Sequence, residues 1–372
     1  MSRQRVRVLA RAAALGGLAL GSAAWSPAAT PVHGLRSVAA DARAAAATMM
    51  TAASVRSEGE GGRVCSIHRY PVKSCGGEQL SEVALARLSA LPGDRQFLWV
   101  DAEGKFITQR PHEGRQGNNG AGVPAMATID ASIDGASLRL SASGLEALVV
   151  PTASDEAPSR REVTLFSGAA KVVDVDGDAA GEWYCRFCGV EGARLVKADA
   201  EAATLADDWR ESRRDFQAAA FAGEDAAPRT IALDDGGTIL VACEASLEEL
   251  NAKLGAKALP PVRMSRFRPN FVVGGLPAFD EDEWLEIRLG EVALKVERPC
   301  TRCSTVLVDQ ESGTSDEVNW LSKVLARFRL SKPDAAYGGF DLQGTKFGVY
   351  CTPLNAGVVR ETDEVVVVRR KE

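Results

Sequence analysis

The chain has 372 residues, 45% of them hydrophobic, which is enough for one large domain or two of ordinary size. A formal charge of -6 excludes a general nucleic-acid binder, so any anion the protein holds has to be met by a local cluster of cations. Eight cysteines over this length do not make a disulfide scaffold; two Cys-x-x-Cys pairs and scattered singles point to a reducing compartment.

Residues 1–62 read as a targeting presequence and linker. Up to residue 56 they hold seven arginines (Arg3, Arg5, Arg7, Arg11, Arg36, Arg43 and Arg56) against one acid, Asp41, with much alanine and serine. That is the composition of an organelle transit peptide, with a mitochondrion expected ahead of a plastid. The apolar core Ala12–Ala24 falls short of the roughly 20 residues that cross a bilayer. A secretory signal is the rival reading, with Gly21-Ser22-Ala23-Ala24 near its cleavage point.

Ordered sequence is expected from Arg63. Val64 to Tyr70 reads as a strand ending at Pro71, with Lys73 and Ser74 in the loop after it. Arg95 to Val100, the turn Asp101 to Gly104, and Lys105 to Thr108 predict a hairpin, and Ser137 to Leu140 with Leu145 to Val150 predict another. Residues 63–155 are therefore expected to form a strand-rich, barrel-like unit, and 156–372 a second domain. Glu162 to Val175 reads as a strand pair. The acids Asp174, Asp176 and Asp178 suggest a calcium loop, but its sixth position is Ala179 and its twelfth Cys185, so they read as a turn and helix start.

In that helix Trp183, Phe187 and Cys188 recur at helical spacing, which makes Cys188 a core residue. Ile239 to Val241 predicts a buried strand. Ser246 with Glu249 predicts a capping box for a helix that Gly255 stops. Leu285, Ile287 and Leu289 share one face, Gly290-Glu291 turns the chain, and Val292, Leu294 and Val296 return. Pro299 lacks an N–H and is expected to end this hairpin, leaving Cys300 to Cys303 at its exit. Asn319 to Phe328 predicts a helix and Val365 to Val368 a closing strand.

The stretch Arg298-Pro299-Cys300-Thr301-Arg302-Cys303 carries the chemistry. A thiolate beside a guanidinium suits a soft or highly charged metal with an anionic ligand. Half a zinc site, a redox pair and buried small residues are the other readings of this spacing. A zinc partner would be Cys185 and Cys188, more than a hundred residues away, where a zinc ribbon uses about 15–20. Histidine is scarce, with His33 in the presequence and His68 and His112 beyond it. No phosphate loop or Gly-x-Gly-x-x-Gly follows a strand, so a nucleotide cofactor is not expected.

Five short motifs occur in order: Tyr70-Pro71-Val72-Lys73-Ser74, Gly93-Asp94-Arg95, Glu244-Ala245-Ser246-Leu247, Phe267-Arg268-Pro269-Asn270, and Cys300-Thr301-Arg302-Cys303 through Val308-Asp309. In these the chain resembles the MOSC family over roughly residues 63–370, and within it the molybdenum enzymes that reduce amidoximes. The resemblance implies an α+β, strand-rich fold: a MOSC N-terminal β-barrel domain followed by a barrel-based MOSC domain with peripheral helices. It implies a molybdenum cofactor (Mo-molybdopterin) with Cys303 as metal ligand and catalytic residue. Lys73, Ser74, Arg95, Arg268, Asn270 and Arg302 are the matching cofactor positions, and all can donate to an anion. Cys300 would support its neighbours, and Thr305 would bond near the cofactor.

The resemblance also implies reduction of N-hydroxylated compounds (amidoximes, hydroxylamines) and of nitrite or nitrate. Electrons would come from cytochrome b5 and its NADH-dependent reductase, since no flavin or nicotinamide motif is visible. Membrane association would run through the N-terminal segment, at the mitochondrial outer membrane, although its apolar core is short. The alternative is a cofactor carrier or sulfurtransferase. MOSC domains also end the molybdenum-cofactor sulfurases, whose large pyridoxal-phosphate domain has no counterpart ahead of residue 63. Cys243 stands where a small polar residue is expected, and the charged insertion near 198–229 has no assigned place.

Overall fold

The alternating segments on either side of Gly290-Glu291 form the expected hairpin and belong to a closed barrel. The computed structural model describes residues 61–110, 122–152, 159–165, 168–175, 177–199, 233, 238–316, 319–337 and 344–372. The expected presequence (apart from 61 and 62), His112 and nearly all of the insertion near 198–229 lie outside the described residues. In chain order come strands β1 (Gly62–Arg69), β2 (Glu78–Leu80), β3 (Glu82–Leu85), β4 (Phe97–Val100), β5 (Asp130–Asp134), β6 (Ser137–Ser141), β7 (Leu148–Pro151), β8 (Arg160–Leu165) and β9 (Gly168–Asp174). Helix α1 (Gly177–Cys188) and β10 (Arg194–Ala198) follow. Next are β11 (Ile239–Cys243), α2 (Glu244–Gly255), β12 (Phe271–Gly274), β13 (Trp284–Leu289) and β14 (Val292–Arg302). The chain ends with α3 (Trp320–Leu325), β15 (Thr345–Pro353), β16 (Gly357–Arg360) and β17 (Glu364–Arg370).

Seven strands run β12-β11-β15-β14-β13-β17-β1, and β1 pairs back onto β12, which closes the barrel; β2 hangs on β1 as an eighth strand. Closure leaves the seven with no open edge. Alternate residues fill the interior, among them Ile67, Ile239, Val241, Phe271, Trp284, Ile287, Leu294, Val349 and Cys351. The fold is thus strand-rich α+β, as expected. A consequence for the site is that Leu240 and Tyr350, which lie between inward residues on β11 and β15, face away from the barrel interior.

The remaining strands make a four-stranded sheet β4-β10-β9-β8, a three-stranded sheet β5-β6-β7 and the pair β3–β16. The four-stranded sheet runs across the division expected at 155/156, because Arg194–Ala198 finds its antiparallel partner in Phe97–Val100. Helix α1 buries Ala180, Trp183 and Tyr184 in the core beneath these sheets, with Tyr184 stacked on Trp99 at 4.3 Å. Cys188 packs against the same core, as its helical spacing predicts. A third core lies under α2 and α3, where Phe267 stacks on Phe347 at 3.9 Å.

Two local expectations are corrected. Ser246 does not cap a helix: α2 begins at Glu244, with Cys243 at its N-cap. The Ser246 hydroxyl is instead buried, donating to Glu281 at 2.8 Å and accepting from the Phe279 N–H at 2.7 Å. Pro299 does not end β14 either. The strand runs on to Arg302 because its pairing with β15 is interrupted between Val296 and Arg298 and again between Pro299 and Thr301, and an irregularity of this kind tolerates a residue without a donor.

Asp282 clamps these elements together. Its carboxylate accepts both terminal nitrogens of Arg329, one at 2.9 Å, and the Lys346 ammonium at 2.9 Å. Burial alone would raise its pKa, but the two cations hold it below the ordinary 3.8. A folded pKa below the unfolded one stabilises the protein above the unfolded value and is lost as pH falls through the folded one. Stability, measured by chemical denaturation, should therefore drop as pH is taken from about 5 to about 2. Asp282→Asn should flatten that dependence and cost about 3 kcal/mol at neutral pH by leaving the buried Arg329 uncompensated.

Candidate functional site

Three of the expected site residues adopt left-handed backbone: Ser74 (φ 67°), Arg95 (φ 48°) and Arg268 (φ 52°). Each costs roughly 1–3 kcal/mol and persists only where its surroundings enforce it. Here the loops enforce one another. The Arg95 N–H donates to the Tyr70 carbonyl at 2.7 Å, the Tyr70 N–H donates to Asp94 at 2.8 Å, and Arg95 pairs with that carboxylate. Arg95 Nη2 then donates to the Arg268 carbonyl at 3.2 Å, and Arg268 Nη1 reaches back to the Cys75 carbonyl at 2.6 Å. The segment after β1, the turn before β4 and the turn before β12 are thereby joined.

The arginines converge on two tyrosines, Tyr70, which is buried, and Tyr350, which is partly buried. The guanidinium groups of Arg268 and Arg95 lie 4.3 and 5.0 Å from the Tyr70 ring, and that of Arg298 lies 4.8 Å from Tyr350. Burial pushes both phenols up, so they stay neutral despite these cations. Burial and the nearby Arg95 together lower the Arg268 pKa to about 10. Arg302 is fixed at the end of β14 by three contacts. Nη1 donates to Cys300 Sγ at 2.8 Å, Nη2 donates to the Phe267 carbonyl at 2.9 Å, and the group lies 5.5 Å from the Phe267 ring.

Cys303 follows as an exposed thiol, 3.1 Å from the Thr305 hydroxyl, while Cys300 is buried. The 3₁₀ turn Ser304–Leu307 behind it is held by Arg266, which donates to the Val306 and Leu307 carbonyls and pairs with Asp316 at 2.7 Å. Lys73 is buried and donates to the Leu233 carbonyl at 2.9 Å, and the Leu233 N–H donates to the Arg95 carbonyl. The Ser74 hydroxyl lies 3.4 Å from that of Thr108. Asn270 spends its amide on the barrel: Oδ1 accepts the Leu240 N–H at 3.0 Å and Nδ2 donates to the His68 carbonyl at 3.2 Å.

Residues 61–191 match the MOSC N-terminal beta barrel domain and residues 228–366 the MOSC domain. The mitochondrial amidoxime-reducing component 1 of Mus musculus is 30% identical over 312 residues, covering 82% of each chain. This chain belongs to the MOSC family. The mitochondrial amidoxime-reducing component 1 of Homo sapiens is 29% identical over 82% of this chain and 83% of its own length. The molybdenum cofactor sulfurase of Oryza sativa subsp. japonica is 26% identical over 73% of this MOSC chain, which spans 31% of the sulfurase.

Three residues of this arginine–tyrosine cluster were not singled out from sequence. Tyr70 stands in the first motif and Arg298 opens the cysteine stretch, so each had a signal. Tyr350 had none, because its outward position depends on barrel closure. The other Cys-x-x-Cys pair lies on α1 against a different core, and no group of three metal-ligating side chains occurs among the described residues. Burial raises the Cys243 pKa, and the side chain packs inside the barrel. Asn270→Ala should remove the acceptor of the buried Leu240 N–H and lower stability by about 2 kcal/mol in a denaturant titration.

Proposed function

We propose that this chain is a molybdenum-cofactor-dependent reductase of N-hydroxylated compounds such as amidoximes and hydroxylamines, extending to nitrite or nitrate. The observation that carries the reading is one exposed thiol, Cys303, at the edge of a cluster of arginines whose buried donors are not all used. Arg268 Nη2 and Arg302 Nε are buried without an acceptor among the described residues. A donor set made of guanidinium, ammonium and hydroxyl groups around a single thiol fits a phosphate-bearing pterin with a soft metal.

In this reading Lys73, Ser74, Arg95, Arg268 and Arg302 hold the anionic ligand, Asn270 fixes the backbone on which Arg268 stands, and Cys303 binds the metal. When bound, the cofactor supplies a redox-active metal for oxygen removal from nitrogen. The chain's own part is positional. The locked turns hold the cations in place before the ligand arrives, and the exposure of Cys303 leaves its surroundings open to a small substrate. Electrons come from cytochrome b5 and its NADH-dependent reductase, and the mitochondrion is the place of action. No helix among the described residues is long and apolar enough to cross a membrane.

The sulfurase match supports a second reading, a cofactor carrier or sulfurtransferase. Both are tested by purifying the protein from a molybdopterin-competent host, measuring molybdenum per chain, and assaying benzamidoxime reduction with cytochrome b5, its reductase and NADH. Near-stoichiometric molybdenum and turnover are expected in the wild type, and both should vanish in Cys303→Ala. Zinc in place of molybdenum, or wild-type turnover in that variant, contradicts the assignment. Molybdenum without turnover favours the carrier.

A further inference from the structure

Gln109 follows Thr108 on the segment that returns after β4, and its side chain is 0% exposed. One intermediary joins its amide to Arg268. Arg268 Nη1 donates to Gln310 Oε1 at 3.2 Å, and Gln310 Nε2 donates to Gln109 Oε1 at 2.6 Å and to the Val308 carbonyl at 3.0 Å. A guanidinium has donors and no acceptor. Gln310 must therefore turn its oxygen to Arg268 and its nitrogen to Gln109, and Gln109 must answer with its oxygen. The polarity of the relay is set from the arginine outward, and flipping either amide would oppose donor to donor.

What remains at the far end is Gln109 Nε2, a buried donor with no acceptor among the described residues. At the near end Arg268 Nη2, on a side chain 6% exposed, is in the same state. Buried donors are nearly always satisfied, so an acceptor belongs between or beside these two. The surroundings favour an anion. Arg268 is cationic, and residue 108 touches Ser74, which puts the Lys73-Ser74 segment next to Gln109.

We infer that Gln109 is an additional oxyanion-binding residue of this pocket, its Nε2 donating together with Arg268 Nη2 to an oxygen of the ligand's phosphate. The inference rests on the proposed cofactor reading and assigns a contact that the five sequence motifs do not include.

The test uses the full chain in two forms, cofactor-free and isolated from a molybdopterin-competent host, with the variants Gln109→Met and Gln109→Glu. Methionine removes the donor at similar volume. Glutamate keeps an oxygen for Gln310 and presents a second oxygen where the donor was. Without ligand, the methionine variant should unfold close to the wild-type temperature, because the unmet Gln109 donor is gone while Gln310 Nε2 loses the Gln109 oxygen. Inorganic phosphate should stabilise the cofactor-free wild type, with affinity about tenfold weaker in Gln109→Met and weaker still in Gln109→Glu. Pterin retained per chain after desalting should fall in the same order.

Phosphate that stabilises wild type and Gln109→Met equally, or neither, overturns the inference and leaves a buried water as the acceptor. Pterin held equally by wild type and Gln109→Met overturns it as well, while the cofactor reading stands. A wild type that carries no pterin, yet responds to phosphate through Gln109, refutes the cofactor reading and keeps this inference.

Discussion

Guanidinium groups gathered around two tyrosines, Tyr70 and Tyr350, are the constraint on which the rest of the structure depends. Asp94 is the one carboxylate that the described residues place against Arg95, Arg268 or Arg302. A buried charge is costly unless it is paired and hydrogen-bonded. The protein meets that cost with carbonyls from Cys75, Arg268 and Phe267, the Cys300 sulfur and the faces of aromatic rings. The carbonyls and ring faces among these carry no net charge. Positive potential is left uncancelled, in a chain whose net charge is negative, and an anion entering the pocket would find it concentrated there.

Barrel closure makes this arrangement affordable. With β1 paired to both β12 and β17, the segment leaving β1 at Tyr70 is held against the turn that ends at Arg268. The interruptions in β14 do similar work. They let the strand pass Pro299 and extend to Arg302, so Cys303 begins a turn at the end of a rigid element and not in a free loop. Left-handed backbone at Ser74, Arg95 and Arg268 is the local strain that this framework sustains, and it falls on the residues that face the proposed ligand.

Much of this was legible in the residues. The period-two runs around Gly290-Glu291 could be nothing but a hairpin, and the helical spacing of Trp183, Phe187 and Cys188 foretold their core. The cations were visible because they sit in short motifs beside Cys303. What could not be read depends on contacts between distant segments. Ser246 looked like a cap because Glu281, its actual partner, is 35 residues away. Pro299 looked like a terminator because the offset that excuses it lies in the pairing with β15. Tyr350 and the Gln310–Gln109 relay offered no local pattern, since each matters only once the barrel has closed and the turns have met.

The asymmetry between Cys300 and Cys303 is the centre of the account: one thiol is buried and spent on orienting Arg302, the other is exposed. X-ray absorption at the molybdenum edge tests it directly. The account predicts one protein sulfur among the metal's ligands, lost in Cys303→Ser and kept in Cys300→Ser. A spectrum unchanged in Cys303→Ser, or a sulfur lost only in Cys300→Ser, would contradict it.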